Sequence, residues 1–232
     1  MKDEQNILVA GSTGRTGQII VRKLVATGQS PHLLVRNIPK AEALFGPAVT
    51  LHQGDVRDPE TLISSMAGVN ALISVVGTRT PVGANCPKRV DYGGIANLVS
   101  AAQAAGVQRF ILISSIGVTH PEHPLNRFGK VLECKLMGEE ALRRSGLDYT
   151  IIRPGGLTDK PGGQCGLIVS QGDMFTGTLS REDLAEISLR ALEQPNLSRV
   201  TFEVIDACKR GRPDWLALFA SLAPDCVEID EN

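Results

Sequence analysis

Ile7-Leu8-Val9-Ala10-Gly11-Ser12-Thr13-Gly14-Arg15-Thr16-Gly17 decides the fold. Four apolar residues run straight into three glycines, and an amphipathic stretch, Thr16–Thr27, follows at once. A strand apolar throughout is one buried on both faces. A glycine string between such a strand and a helix is the signature of a dinucleotide-phosphate loop; by itself the string is weak evidence. Gly11 permits the tight turn out of the strand, Gly14 lets the backbone approach a pyrophosphate, and Gly17 lets the helix lie close to the sheet. Ser12, Thr13, Arg15 and Thr16 complete the loop, and the amides at the positive helix end hold the phosphates.

Outward from this loop the pattern repeats. Short β-branched runs are expected as strands at Asn6–Ala10, His32–Arg36, Val49–Gln53, Ala71–Val76, Arg109–Ser114, Tyr149–Arg153 and Thr201–Ile205. Amphipathic helices are expected at Thr16–Thr27, Asp58–Met66, Arg89–Ala105, Phe128–Arg144 and Arg181–Glu193, several closed by a glycine at the C-terminus. Alternation of this kind implies an α/β fold of three layers, a doubly wound parallel sheet of Rossmann type. The 232 residues contain no repeat and no dividing linker, so one domain is expected over 1–232. Within it, 155–177 is rich in glycine and is expected to form a small substrate-side flap. The segment 213–232 carries an apolar helical pattern (Trp215, Leu216, Leu218, Phe219, Leu222), expected to pack on the core.

Composition removes several function classes. Net charge is -1, and Lys and Arg form no dense run, so neither nucleic acid nor an anionic membrane is an expected partner. No apolar stretch approaches the roughly 18 residues of a bilayer span. Cys86, Cys134, Cys165, Cys208 and Cys226 are odd in number and contain no C-x-x-C pair; reduced thiols in a reducing compartment are expected. His120 and His123 lie in a proline-rich loop without the helical face a metal pair needs, so no metal site is expected. Residues 1–6 leave no room for a leader before the first strand. The expected location is cytoplasmic, or a reducing organelle if a transit segment has been removed. Oligomeric state is open, with a monomer slightly preferred.

The end of the second strand selects the cofactor. An NAD site wants a carboxylate there for the ribose hydroxyls, about 20 residues past the loop. This chain has Leu34-Val35-Arg36-Asn37 instead. A guanidinium suits a 2′-phosphate because its planar donors engage two oxygens, and Arg15 can reach the same group. NADP(H) is therefore the expected cofactor; the alternative is that both arginines are solvated surface groups. Gly54-Asp55-Val56 after the third strand suits an adenine, with Asp55 accepting from its amino group and Val56 packing on its ring. Val76-Gly77-Thr78-Arg79 after the fourth strand suits a ribose. Pro154-Gly155-Gly156 after the sixth is expected to pass the nicotinamide, the bland alternative being an ordinary turn.

These motifs, with Ser114-Ser115, resemble the atypical short-chain dehydrogenase/reductases, in the single-domain NAD(P)H-binding branch that includes NmrA-like proteins and biliverdin reductase B (flavin reductase). The stretches Pro121-Glu122-His123-Pro124-Leu125-Asn126 and Ile151-Ile152-Arg153-Pro154-Gly155-Gly156-Leu157 are similar to plant and cyanobacterial members. The resemblance implies a catalytic serine at the end of the fifth strand and a Tyr-x-x-x-Lys on the next helix. Ser115 matches the serine, with Ser114 beside it, and Lys135 matches the lysine that also holds the ribose. Val131 stands where the tyrosine would be, and neither Tyr92 nor Tyr149 fills the gap by position. Reduction of an isolated ketone needs a placed acid worth about 10²–10⁴ in rate. A flavin, quinone or tetrapyrrole spreads the charge and can take its proton from solvent. Two functions follow: NADPH-dependent hydride transfer to a small conjugated acceptor, or a non-catalytic NADP(H)-binding redox sensor or assembly factor. A sugar-nucleotide epimerase is disfavoured by the missing tyrosine and the lack of a large C-terminal substrate domain.

Overall fold

The computed structural model describes residues 6–211 and 213–226. In chain order its regular elements begin with β1 (Ile7–Ala10), α1 (Arg15–Ala26), β2 (His32–Val35), α2 (Ile38–Phe45), β3 (Thr50–Gln53) and α3 (Glu60–Ile63). There follow β4 (Ala71–Ser74), α4 (Gly93–Ala105), β5 (Arg109–Ile113), α5 (Val131–Arg143) and β6 (Tyr149–Pro154). The last part holds β7 (Gly156–Thr158), β8 (Cys165–Ser170), β9 (Thr178–Ser180), α6 (Arg181–Glu193), β10 (Val200–Arg210) and α7 (Trp215–Phe219).

Eight strands form one sheet in the order β3-β2-β1-β4-β5-β6-β10-β8. The order reverses direction between β1 and β4, which pair in parallel with Ala10 opposite Ser74. Alternate residues of each central strand feed opposite layers. Val9, Ile73, Ile111 and Ile152 pack with Ile20 and Leu24 of α1 and Leu184 and Ile187 of α6. Leu8, Leu72, Phe110 and Ile151 pack with Leu62 of α3, Leu98 of α4 and Leu142 of α5. Each such side chain contributes about 1.5–3 kcal/mol of burial free energy. Crossover helices on both faces make this the expected three-layer doubly wound sheet.

Several local expectations need correction. The sheet is not wholly parallel: β8 runs antiparallel to β10 as an outer strand. Residues 155–177 are thus partly sheet, with β7 also pairing to β9. Alternation in Cys165–Ser170 is weak because its residues are only half buried, which hid the strand. Helix α2 was unforeseen; Asn37 caps it by accepting from the Lys40 N–H at 2.9 Å. The helix expected from Arg89 starts instead with a turn of π-helix, Lys88–Tyr92, before α4. In the C-terminal segment Phe219 is buried and meets Phe202, whereas Leu216 is exposed. Residues 227–232 of that segment and the side chain of Cys208 lie outside the described residues. The other four cysteines are free thiols, as the odd count suggested.

The segment after β8 is anchored to the loop after β5. Asp173, buried and with φ near +60°, accepts from the Gly117 N–H (2.6 Å), the Thr119 N–H (2.8 Å) and the Thr119 hydroxyl (2.8 Å). Burial pushes this carboxyl up, but the three donors outweigh it and hold it below the ordinary carboxylate range. A depressed folded value stabilises the protein above the unfolded value and loses that share as pH falls through the folded one. Asp173→Asn is therefore expected to cost about 1.5–3 kcal/mol at pH 7 in urea unfolding. The gap to the parent should narrow as pH falls below about 4.

Candidate functional site

The glycine loop is built from contacts that tolerate no larger residue. Gly11 has φ of +86°, and a Cβ there would lie 2.9 Å from the Val75 carbonyl carbon. A Cβ on Gly17 would stand 2.3 Å from the Gly11 carbonyl oxygen and 2.8 Å from the Ser12 Cα. This close approach brings the first turn of α1 onto the exit of β1. Gly14 occupies the N-cap without a side-chain partner, so the first-turn amides of α1 keep their donors for a ligand. At the carboxyl ends of β1, β4 and β5 the hydroxyls of Ser12, Ser74 and Ser114 are buried and have no hydrogen-bond partner. Buried polar groups are ordinarily paired. Open amides, a cradle with no room for side chains and unpaired hydroxyls together fit a dinucleotide at the topological switch point.

The loops beyond β2 and β3 collect more charge than expected. Arg36, exposed at the end of β2, meets Asn85 Oδ1 at 3.3 Å. Arg57, which sequence reasoning missed, grips Asp55 through Nε (2.9 Å) and Nη2 (2.5 Å) and reaches the Ala84 carbonyl at 2.9 Å. The hydrogen bonds from Arg57 hold the Asp55 carboxyl below its usual range, with Arg36 adding to the effect. Both Asp55 oxygens thus accept from Arg57, and each keeps lone-pair capacity for a further donor. Val56 is pressed onto α4, its Cγ2 2.7 Å from where a Cβ on Gly94 would be. Arg15 pairs with Asp159 at 2.9 Å, both exposed. Asp159 is held in turn by Arg181 at 2.7 Å.

The opposite end is a small crevice walled by Val76, Ile95, Leu112 and Ile113, with Asp91, Ser114 and Lys135 as its polar groups. Lys135 Nζ lies 2.9 Å from Asp91 Oδ1. The contact is an ion pair. Asp91 Oδ2 accepts the Thr78 N–H at 3.1 Å. Gly77 adjoins both charges: a Cβ there would be 3.7 Å from the carboxylate and 3.8 Å from the ammonium. Arg79 is exposed beyond it.

Sequence reasoning placed Ser115 and Lys135 together. The structure gives the crevice to Ser114; the Ser115 hydroxyl, half-buried, donates to the Ile116 carbonyl at 3.0 Å. Pro154 is the last residue of β6 rather than loop, and its carbonyl accepts the Ile116 N–H at 3.1 Å. Gly155 is packed against Gly177, whose carbonyl oxygen would be 2.6 Å from a Cβ. Its N–H bonds to the Val204 carbonyl, so this glycine serves packing. The neighbouring Gly156 is exposed. Val131 opens α5, and neither tyrosine lines the crevice. Tyr149 donates to Asp225 at 2.9 Å, and burial pushes its phenol far above the ordinary range.

Burial likewise pushes the Cys134 thiol up, and Asp91 adds to it, which suits an unreactive thiol. His120 faces Asp173 and Glu122, while His123 accepts from the Leu125 N–H, so the two rings serve separate partners. A larger hollow lies between α1, α6 and Trp215, but its carboxylates are engaged. Glu182 and Asp183 accept from the Gly162 and Gly163 amides, and Glu186 pairs with Lys23. Asp91 was invisible beforehand because a lone acid among Val90, Gly93 and Ile95 carries no motif. The one available signal was a charge on an otherwise apolar helix face.

Comparison with known proteins agrees with this geometry. A family described as NAD(P)H-binding matches residues 11–195. Sanguinarine reductase of Eschscholzia californica is 29% identical, over 93% of this chain and 95% of the relative. The photosystem II assembly factor Ycf39 of Synechocystis is 27% identical, over 97% of this chain and 70% of its own length. Among solved structures, the oxidoreductase ylbE from Lactococcus lactis superposes with a TM-score of 0.75 at 25% identity, covering 89% of this chain and 93% of that one. With its glycine cradle, its switch-point crevice and a family match over most of its length, the chain belongs to the NAD(P)H-binding family.

Proposed function

We propose that this protein is an NADPH-dependent reductase of a small, conjugated acceptor of flavin, quinone or tetrapyrrole type. The observation that carries the reading is the crevice itself: an ammonium and a free serine hydroxyl among aliphatic walls, with no phenol. The cofactor supplies a hydride when bound. The chain's residues hold and orient. Gly11, Ser12, Thr13, Gly14, Thr16 and Gly17 cradle the pyrophosphate on backbone amides. Arg36 receives the 2′-phosphate, with Arg57 close by and Arg15 reaching from the glycine loop. Val76, Gly77 and Thr78 border the second ribose, which Lys135 holds, and Ser114 lies beneath it. Ser115, next in the chain, orients the acceptor by turning its hydroxyl from the Ile116 carbonyl to the bound molecule. An acceptor that delocalises charge needs orientation more than a placed acid, and this crevice offers orientation only.

A second reading, a non-catalytic NADP(H)-binding sensor or assembly factor, is favoured by the vacant tyrosine position and by the likeness to Ycf39. The two separate by mixing the protein with NADPH and a panel of flavins, quinones and biliverdin while following the nicotinamide absorbance. Steady oxidation supports the reductase; tight binding without turnover across the panel supports the sensor.

Three variants test the assignment of residues. Gly17→Ala is expected to weaken NADPH by about 10- to 100-fold in calorimetry, since the added methyl must displace the Gly11 carbonyl. Arg36→Asp should weaken NADPH by a similar factor and leave NADH within about threefold, the difference being charge-assisted bonds to one phosphate. Equal loss for both nucleotides would show that Arg36 does not meet the 2′-phosphate. Ser115→Ala should lower kcat about tenfold at unchanged NADPH affinity, the worth of one hydrogen bond to the acceptor; an unchanged kcat removes Ser115 from the site.

A further inference from the structure

We infer that Asp91 is the positioning residue for Lys135, fixing its ammonium in the crevice. The inference rests on the crevice being the nicotinamide end of the NADPH site. Its own support is geometric. The Asp91 side chain is 0% exposed, and taking a carboxylate out of water is unfavourable unless a partner compensates. The fold goes to some length to put it there. A turn of π-helix over Lys88–Tyr92 precedes α4, and such turns concentrate at functional sites. Gly138 lets α5 approach this turn: a Cβ there would lie 2.7 Å from the Asp91 carbonyl oxygen. Close packing of α5 on the turn is what brings Lys135, three residues earlier on that helix, to 2.9 Å from the carboxylate.

The pair is better explained by function than by stability. Well-packed apolar residues replace buried ion pairs without loss in other proteins, and the surrounding wall is already aliphatic. Lysine carries a point charge on a four-carbon stem with several rotatable bonds, so a fixed counter-charge is what gives its ammonium one location. The contact uses one face of that ammonium, which has three donors, and leaves the others to a ligand. The second oxygen of Asp91 holds the Thr78 N–H, so one carboxylate ties the lysine to the loop that borders the ribose.

The test compares two probes on the nucleotide-free chain: NADPH, and 2′,5′-ADP, which lacks the nicotinamide half. Asp91→Asn is expected to weaken NADPH about tenfold and leave 2′,5′-ADP within about twofold. Asp91→Asn combined with Lys135→Gln should bind NADPH no more weakly than Lys135→Gln alone, because a residue acting through another adds nothing once that other is gone. This second comparison serves even if Asp91→Asn does not fold by itself, since the double variant contains no unpaired buried charge. Unchanged NADPH affinity in Asp91→Asn, equal losses for both probes, or a double variant about tenfold weaker than Lys135→Gln would each overturn the inference. A parent chain that binds neither probe overturns the cofactor reading beneath it, a result distinct from all three.

Discussion

The contact between Gly17 and the exit of β1 sets the geometry of the molecule's working edge. The backbone of α1 comes so near the Gly11 carbonyl that a single methyl group would stand 2.3 Å from it. Because the helix sits that close, its first-turn amides and the positive end of its dipole face the point where the strand order reverses. The same approach seats Ile20 and Leu24 against the sheet, so phosphate recognition and core packing are one constraint.

Charge on this edge is distributed with a common logic. Three carboxylates, Asp173 and Asp91 buried and Asp55 half-buried, are matched to donors that pull another segment into place. Asp173 fastens the segment after β8 to the loop after β5. Asp91 fastens Lys135 and the loop after β4. Asp55 fastens Arg57 near Arg36 beyond the ends of β2 and β3. Buried charges of this kind add little net stability against apolar alternatives, yet removing one partner is costly. They buy position rather than strength, and position is what a site without a proton-donating phenol has to offer.

Among the described residues no helix is long and apolar enough to cross a membrane. The segment after β8 is tied to the protein through Asp173, through Gln171 to Thr201 and Ala223, and through the Phe175 N–H to Glu203, while β8 itself is a mostly half-buried outer strand. This edge of the sheet is therefore held largely by polar contacts rather than by a second core.

The layers, the first six strands and the glycine turn after β1 could be read from the chain, because each rests on local periodicity or on glycine at a position where only glycine fits. The position of Arg36 at the end of β2 could be read too, since that strand end is a fixed address in this kind of sheet. What tertiary structure alone decided were contacts between residues far apart. Asp91 meets Lys135 only because Gly138 admits a π-helical turn, Asp55 is claimed by Arg57, and the free hydroxyl in the crevice belongs to Ser114 rather than Ser115. The outer strand β8 escaped for the same reason: half-buried residues carry no clean alternation, and pairing with β10 supplies what the local pattern lacks. Local pattern fixes which way a chain turns; which side chain ends up facing which depends on how closely the packed elements approach, and no window of sequence contains that distance.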